Sequence, residues 1–357
     1  MESRSINEGE LLELARAGDE VAFRDLVETH RTELHAYCYR MLGSVHDAED
    51  AVQDALLRAW RGLARFEGRS SVRSWLYTIA TNTTLDIVRH RSRRELPTTF
   101  GPAAAAGAAV EDVVVDPVWL EPYPDQWLAG LPGAGSGPGG AAYPEARYEE
   151  RESVEIAFML MLQHLPPLQR AVLILRDVLA FSAAEVAAQL STTVPAVNSA
   201  LQRARAAARE GLPETSQQSA LRALGDARLA AIAARYAEAL EQGDVDTLLA
   251  MLTQDATWCM PPVPTWFQGH AALRTWLVRD PLTCRWRHAA TRANGQLAVG
   301  GYLYSQATGR YEPHVIDVLT LSPTDGKISA VTAFIVHDAE ADPAAVFASF
   351  GLPTAAG

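Results

Sequence analysis

Residues 182–205 read SAAEVAAQLSTTVPAVNSALQRAR, and this stretch decides how the helical part of the 357-residue chain is to be read. Two short helices flank a tight turn. Thr193 is a good N-cap residue, and Pro195 stands in the first turn of the second helix, where a missing N–H costs nothing. Val194, Val197, Leu201, Ala204 and Ala208 fall on one face of that helix, leaving Asn198, Ser199, Gln202, Arg203 and Arg205 on the other. The spacing predicts a helix-turn-helix whose polar face hydrogen-bonds base edges in a major groove while its basic members reach phosphates. A helical hairpin with a solvated polar face satisfies the same pattern, so the rest of the chain has to decide.

Outward from this stretch, Glu10 to Arg94 is patterned as helix almost throughout, with apolar residues at three and four spacing. Two segments stand out: DAEDAVQDALLRAW at residues 47–60 and FEGRSSVRSWLYTIATN at residues 66–82. The first starts acidic and turns basic, so its outward face offers carboxylates to a basic partner. An acidic helix start also suits the macrodipole without any partner. The second places a Gly and Ser loop beside Arg and Phe, which suits a pocket for an unstacked base. Trp60, Trp75 and Ile79, at helical spacing, fit a core at least as well as a base platform.

The net charge of −12 argues against nucleic acid only until its distribution is read. Residues 56–95 hold nine arginines against three acids, and residues 96–150 hold one base against eight acids. A basic block therefore abuts an acidic one. The acidic block, from Leu96 to Pro144, is rich in Pro and Gly and reads as a linker. Within it, VWLEPYPD at residues 118–125 is too aromatic for a passive spacer and is expected to lie on a surface.

Beyond Asp226 the pattern changes. An amphipathic helix through Leu229, Ile232, Ala233, Tyr236 and Leu240 ends at Gly243, and a second runs through Val245 to Leu252. A strand at Ala256 to Met260 and a short helix at His270 to Leu277 follow. Alternating segments then come at Trp286 to Thr291, Leu297 to Tyr304, Val315 to Leu321 and Ile328 to Val336. Asn294-Gly295 and Asp325-Gly326 are hairpin signals. This predicts an α+β domain with helices first and a curved antiparallel sheet behind them.

No apolar run reaches the roughly 18 residues that span a bilayer, and Met1 to Glu10 lacks a basic-then-apolar signal pattern, so a cytoplasmic protein is expected. Cys38, Cys259 and Cys284 are too few and too scattered for a disulfide framework, and no spacing suggests a metal or another cofactor.

Asp47 to Trp60, Phe66 to Asn82 and the basic end Asp86 to Arg94 resemble the σ2 domain of extracytoplasmic-function (ECF) sigma factors. Leu165-Pro166-Pro167-Leu168-Gln169-Arg170 through Arg209 resembles their σ4 domain. The words Trp119-Leu120-Glu121-Pro122-Tyr123-Pro124 and Phe350-Gly351-Leu352-Pro353 are similar to those of the subgroup with a C-terminal SnoaL-like domain. The resemblance implies a multidomain chain. It has two all-α domains, σ2 at residues 8–95 and the σ4 helix-turn-helix at 148–212, joined by a linker at 96–147 and followed by an α+β SnoaL-like cone at 226–353.

The resemblance further implies a non-enzymatic promoter-reading subunit whose partners are core RNA polymerase, through its β′ clamp helices and β flap, and promoter DNA. No membrane partner is implied. Asp50, Gln53, Asp54 and Arg58 would meet the polymerase. Phe66, Gly68, Arg69, Ser70 and Ser71 would form the loop that takes a flipped base of the −10 element, with Asn82 beside it and Arg89, Arg91, Arg93 and Arg94 on phosphates. Thr193, Asn198, Ser199, Gln202, Arg203 and Arg205 would serve the −35 element. The acidic linker resembles the segment that occupies the polymerase RNA channel. Val72 stands where the family usually has Phe, and Ser191 where the turn usually has Gly, which implies a slightly different turn geometry.

SnoaL-like cones can hold small molecules, and the candidates for such chemistry here are Trp258, Trp266, His270, His314, Asp317 and His337. Alternation puts His314 and Asp317 on opposite faces of their strand, and no fixed catalytic spacing is visible. The cone is therefore expected to act as a regulator in cis, through an intramolecular contact with σ2, σ4 or the linker around Trp119 and Tyr123. A cyclase- or isomerase-like enzyme is the competing reading.

Overall fold

The computed structural model describes residues 7–114, 119–128, 152–336 and 342–356. The chain forms two compact units, one drawing on residues 7–92 and 161–211, the other on 93–128, 152–160 and 212–356.

The first unit is helical. Helix α1 (Glu8–Arg16) starts at a reciprocal cap, with Asn7 and Glu10 each accepting the other's backbone N–H. Helix α2 (Glu20–Leu42) is capped by Asp19 and stops at Gly43, whose φ of 70° closes the last turn. Ser44 caps α3 (Val45–Gly62) and Ser71 caps α4 (Val72–Arg89). Their apolar stripes meet around Tyr37, Cys38, Met41, Val52 and Tyr77, all fully buried; the Tyr37 hydroxyl finds Thr81 Oγ1 at 2.7 Å. Short α5 (Pro97–Phe100) belongs to the second unit, and α6 (Ile156–His164) runs from the second unit into the first. Helix α7 (Pro167–Leu173) continues through a wide turn at Ile174–Val178, and α8 (Ala183–Gln189) and α9 (Val194–Gly211) complete the unit.

The second unit opens with α10 (Gln217–Leu224) and α11 (Asp226–Gln242), followed by α12 (Val245–Met251), β1 (Leu252–Met260), β2 (Val263–Gln268) and α13 (Gly269–Arg279). Strands β3 (Trp286–Ala293), β4 (Gln296–Ser305), β5 (Arg310–Leu321) and β6 (Ile328–Ile335) and helix α14 (Pro343–Ser349) end it. The sheet order is β2-β1-β6-β5-β4-β3. The expected antiparallel sheet is in fact mixed, because β1 and β6 pair in parallel across the long excursion that separates them. Tyr236, Phe267, Leu273, Leu319 and Ile328 form the centre of its core.

Three segments outside the expected cone pack onto it. Residues 101–114 follow the edge strand β2, where Ala104 N donates to Trp266 O (2.8 Å), Trp266 Nε1 to Gly101 O (2.9 Å) and Val114 N to Pro262 O (3.1 Å). This covers an otherwise open sheet edge. Residues 119–128 dock on the β3–β4 turn. Asn294 and Gly295 both hold positive φ there, as the hairpin signal requires, yet Asn294 is fully buried. Tyr123 N donates to Asn294 Oδ1 (2.9 Å), Asn294 N to Tyr123 O (2.8 Å), and Gly295 N to Asp125 Oδ1 (2.7 Å).

The third segment is residues 152–156. Asn294 Nδ2 donates to Val154 O (2.8 Å) and Ile156 N to Gln296 Oε1 (2.9 Å). The buried Glu155 carboxylate accepts from Gln217 N (3.0 Å) and Gln218 N (2.8 Å) at the start of α10. Gln217 in turn exchanges two hydrogen bonds with the backbone of Leu321. The stretch after Gly211 thus carries a docked helix, α10.

Candidate nucleic-acid interface

On α3 the three-four spacing brings Asp50, Gln53, Asp54 and Arg58 to one outward stripe. Arg58 is held there by Asp54 (2.8 Å) and lies 3.8 Å from Asp86 on α4. After α3, Gly68 takes φ 71°, and Gly68, Arg69, Ser70 and Ser71 form an exposed loop; the Arg69 side chain is 85 % exposed and pairs with Glu67. Ser71 spends its hydroxyl on capping α4, accepting from Ser74 N (3.1 Å). Asn82 is exposed on α4.

Two assignments to this loop and its basic end need correction. Phe66 is buried, 4.8 Å from the Trp75 ring and with the Arg16 guanidinium 5.7 Å from its centroid, because an apolar ring before the loop closes the core beneath it. It is a floor of the loop and offers no face to a base. Trp60 is likewise packed, against Phe23. Arg94 is also buried, donating to Trp119 O (2.6 Å) and Glu121 Oε1 (3.1 Å), so its charge is spent on the docked linker. Arg89, Arg91 and Arg93 are exposed, each with one acidic neighbour: Asp86, Asp47 and Glu95.

In the helix-turn-helix, Val197, Ala200, Leu201, Ala204 and Ala208 are buried and Asn198, Ser199, Gln202 and Arg203 exposed. Thr193 accepts from Ala196 N (3.3 Å) as the cap, and Arg203 Nη1 donates to Ser199 Oγ (2.7 Å). Ser191 adopts φ 50°, so the turn keeps the left-handed residue that glycine would supply, at a steric cost. Val194 is more than a third exposed, unlike the rest of the inward face assigned to it. Arg205 is the larger correction: it grips the buried Asp177 with two bonds (Nε–Oδ2 2.8 Å, Nη2–Oδ1 2.6 Å) and holds α9 to the wide turn that continues α7 rather than facing outward.

Comparison with known proteins fixes what these surfaces belong to. Sigma-70 region 2 matches residues 26–94, Sigma-70 region 4 matches residues 155–207, and a SnoaL-like domain matches residues 233–331. The ECF RNA polymerase sigma factor SigG of Mycobacterium tuberculosis (strain H37Rv) is 40% identical over 344 residues, covering 95% of this chain and 85% of SigG. The chain belongs to the ECF RNA polymerase sigma factors. This sigma factor is a transcription initiation factor and not an enzyme. SigM of the same organism is 31% identical over 200 residues, covering 56% of this chain and 82% of SigM. The crystal structure of M. tuberculosis SigJ shares the fold, with a TM-score of 0.50 and 24% identity over 87% of this chain and 95% of SigJ. No helix among the described residues is long and apolar enough to cross a membrane.

The polar groups of the SnoaL-like domain are scattered. Asp317 is buried and accepts from the Tyr236 hydroxyl at 2.9 Å; burial raises its pKa to about 7 and raises that of Tyr236 well above its usual value. His270 sits at the start of α13 beside Gln254, Trp258 stacks on Tyr236, and Trp266 holds the linker. His337 lies outside the described residues. Sequence alternation misplaced His314: it is skipped in the β4–β5 register, where Gly301 pairs with Val315 and Tyr302 with Pro313. This bulge turns His314 toward Trp286, the face shared with His288, Val315 and Asp317.

His288 itself was not singled out by sequence. It is buried, with its pKa lowered to about 4 by desolvation, and only its place in an alternating strand could have flagged it. Among the described residues no group of three or more His, Cys, Asp or Glu could hold a metal ion.

Proposed function

We propose that this sigma factor directs core polymerase to promoters through three outward surfaces and that its SnoaL-like domain regulates it in cis by holding the segment between regions 2 and 4. The α3 stripe of Asp50, Gln53, Asp54 and Arg58 docks on the β′ clamp helices, and region 4 on the β flap. The loop Gly68–Ser71 with Asn82 takes the −10 element, backed by Arg89, Arg91 and Arg93 on phosphates. Asn198, Ser199, Gln202 and Arg203 on α9, capped by Thr193, read the −35 element. These residues lie on helices, at their caps or in the exposed loop that leads into the α4 cap, where side chains can reach a partner.

The observation that carries the regulatory part is the docking of residues 119–128 on the buried Asn294 turn. A segment with that many backbone bonds to the cone cannot at the same time lie extended in an RNA channel. The exchange between the two placements is therefore a control point. Promoter-dependent transcription with purified core enzyme tests it: Asn294→Ala in the full chain should change the initiation rate at least fivefold, roughly what 1 kcal/mol represents. An unchanged rate would remove the regulatory reading and leave the promoter reading intact.

A further inference from the structure

The sheet of the second unit is covered differently on its two faces. Leu297, Val299, Val315 and Leu319 turn into the core, while Gly300 and Tyr302, at the alternate positions of β4, turn toward α14 and the segment after it. Gly300 gives Leu352 and Phe347 the room a Cβ would take, and the Tyr302 hydroxyl donates to Pro353 O (2.8 Å). This cover ends where Ala356 N meets Tyr311 O (3.3 Å). The rest of the same face carries two arginines and two tyrosines. Arg285 lies opposite Tyr304, whose N donates to Arg285 O (2.9 Å); Tyr304 pairs with Tyr311, and Arg287 with Tyr302.

These side chains form one platform. The Arg285 guanidinium lies over the Tyr304 ring, 4.2 Å from its centroid and 5.9 Å from that of Tyr311, and the Arg287 guanidinium lies 5.4 Å from the Tyr311 centroid. The two rings meet edge-on at 5.2 Å. Both arginines are exposed and both tyrosines half-buried. Stacking on a ring fixes a guanidinium by its face, while its N–H donors lie in its plane and stay available. Arg287 spends part of its charge on Glu241 (3.1 Å). Arg285 does not: among the described residues it has no acidic partner and donates no side-chain hydrogen bond, and the Tyr304 and Tyr311 hydroxyls are likewise unengaged.

A fixed guanidinium with unused donors, beside two free hydroxyls, is complementary to an oxyanion. Arg285 already occupies the Tyr304 ring, so the platform suits a phosphate better than a stacked base. Promoter DNA is the phosphate polymer on which an initiation factor of this family works, and this domain is tethered to the regions that bind it. A tether supplies effective concentrations in the millimolar range, so one or two phosphate contacts suffice to add to binding. We propose that the platform of Arg285, Tyr304, Tyr311 and Arg287 binds the phosphodiester backbone of promoter DNA without regard to sequence. This gives the SnoaL-like domain a direct contact with DNA, separate from the control of the linker proposed above and independent of it.

Cys284 is exposed and precedes Arg285, whereas Cys38 and Cys259 are buried, so a photoreactive azidophenacyl group on Cys284 of the full chain reports what meets the platform. In a promoter complex with core polymerase, irradiation should join the chain to DNA, and Arg285→Ala should lower the yield. The same variant should make promoter binding less sensitive to salt. Each phosphate contact adds about 0.9 to the slope of log affinity against log salt, so the loss of affinity between about 50 and 200 mM becomes about 3.5-fold smaller. Arg285→Lys, which keeps the charge, should retain most of the slope; a slope lost equally in Arg285→Lys would mark a disturbed sheet and overturn the assignment. Crosslinks to polymerase alone would give the platform to an acidic protein surface instead. That result, no crosslink at all, or a slope unchanged by Arg285→Ala would each overturn the DNA contact.

Discussion

Tyr123 and Asn294, 171 residues apart, exchange two hydrogen bonds: Tyr123 N donates to Asn294 Oδ1 and Asn294 N to Tyr123 O. Tyr123 is fully buried, edge-on to Trp127, and the same asparagine side chain reaches Val154 O. One turn residue of the cone therefore ties both ends of the segment that joins the two promoter-reading regions.

Asn294→Ala should strand the Tyr123 N–H and the Val154 carbonyl, each a buried group costing about 1–3 kcal/mol when unsatisfied. It also replaces a residue suited to positive φ. Hydrogen exchange should accelerate across residues 119–128 and 152–156 while the core strands β4 and β5 stay protected. Equal protection in both proteins would mean the docking does not depend on this turn.

The Glu155 clasp predicts a pH dependence. Burial raises its pKa from the usual 4.5 to about 7, against the pull of the Gln217 and Gln218 N–H groups; Glu152 adds to the upward shift. Above pH 7 the carboxylate is ionised in both folded and unfolded chains. Between about 7 and 4.5 the folded chain holds a proton the unfolded chain has released, so stability rises as pH falls through 7 and levels off below 4.5. Asp317 contributes in the same direction over a similar window. Thermal melts of Glu155→Gln and Asp317→Asn should each flatten the rise between pH 8 and 5, and a stability that falls over this range would refute both assignments.

Arg203 and Arg205 should behave differently although two positions apart. Arg203→Ala should leave the melting temperature unchanged and cost about 1–3 kcal/mol of preference at one base position of the −35 element. Arg205→Ala leaves the buried Asp177 without its bidentate partner, which costs about 3–5 kcal/mol of stability. Paired melting and promoter-competition measurements separate the two roles.

Phe66→Ala should destabilise region 2 by about 3–5 kcal/mol, as expected for emptying a buried aromatic site. Arg69→Ala, on the exposed loop beside it, should leave the melting curve unchanged and reduce promoter opening. A Phe66→Ala protein that melts normally would return that ring to the loop proposed to take the −10 base.

How far the sequence carried these conclusions differs from element to element. The inward stripe of Val194, Val197, Leu201, Ala204 and Ala208 is set by helical period alone, and the structure buries all but Val194, which stands at the helix start. Period says nothing about which polar residue finds a distant partner, which is why it sets Arg205 on the outward face; Arg94 and Phe66 are assigned by resemblance, which does not show what packs over them. Strand β2 carries Pro264 at a sheet edge and escaped notice for that reason. The parallel pairing of β1 with β6 and the bulge at His314 are properties of long-range register, to which alternation along one strand is blind. The Pro-rich stretch could be read only as a linker with an aromatic part lying on a surface, because its order comes from bonds to Trp266, Pro262 and Asn294, all more than 140 residues away.

The most direct measurement is footprinting of promoter DNA by the full chain, with and without core polymerase. The account predicts protection of both the −10 and −35 elements only when core is present, and its loss with Asp50→Arg and Asp54→Arg, since like charges at a docked interface cost several kcal/mol. Protection of both elements by the chain alone, or by the doubly reversed chain with core, would contradict it.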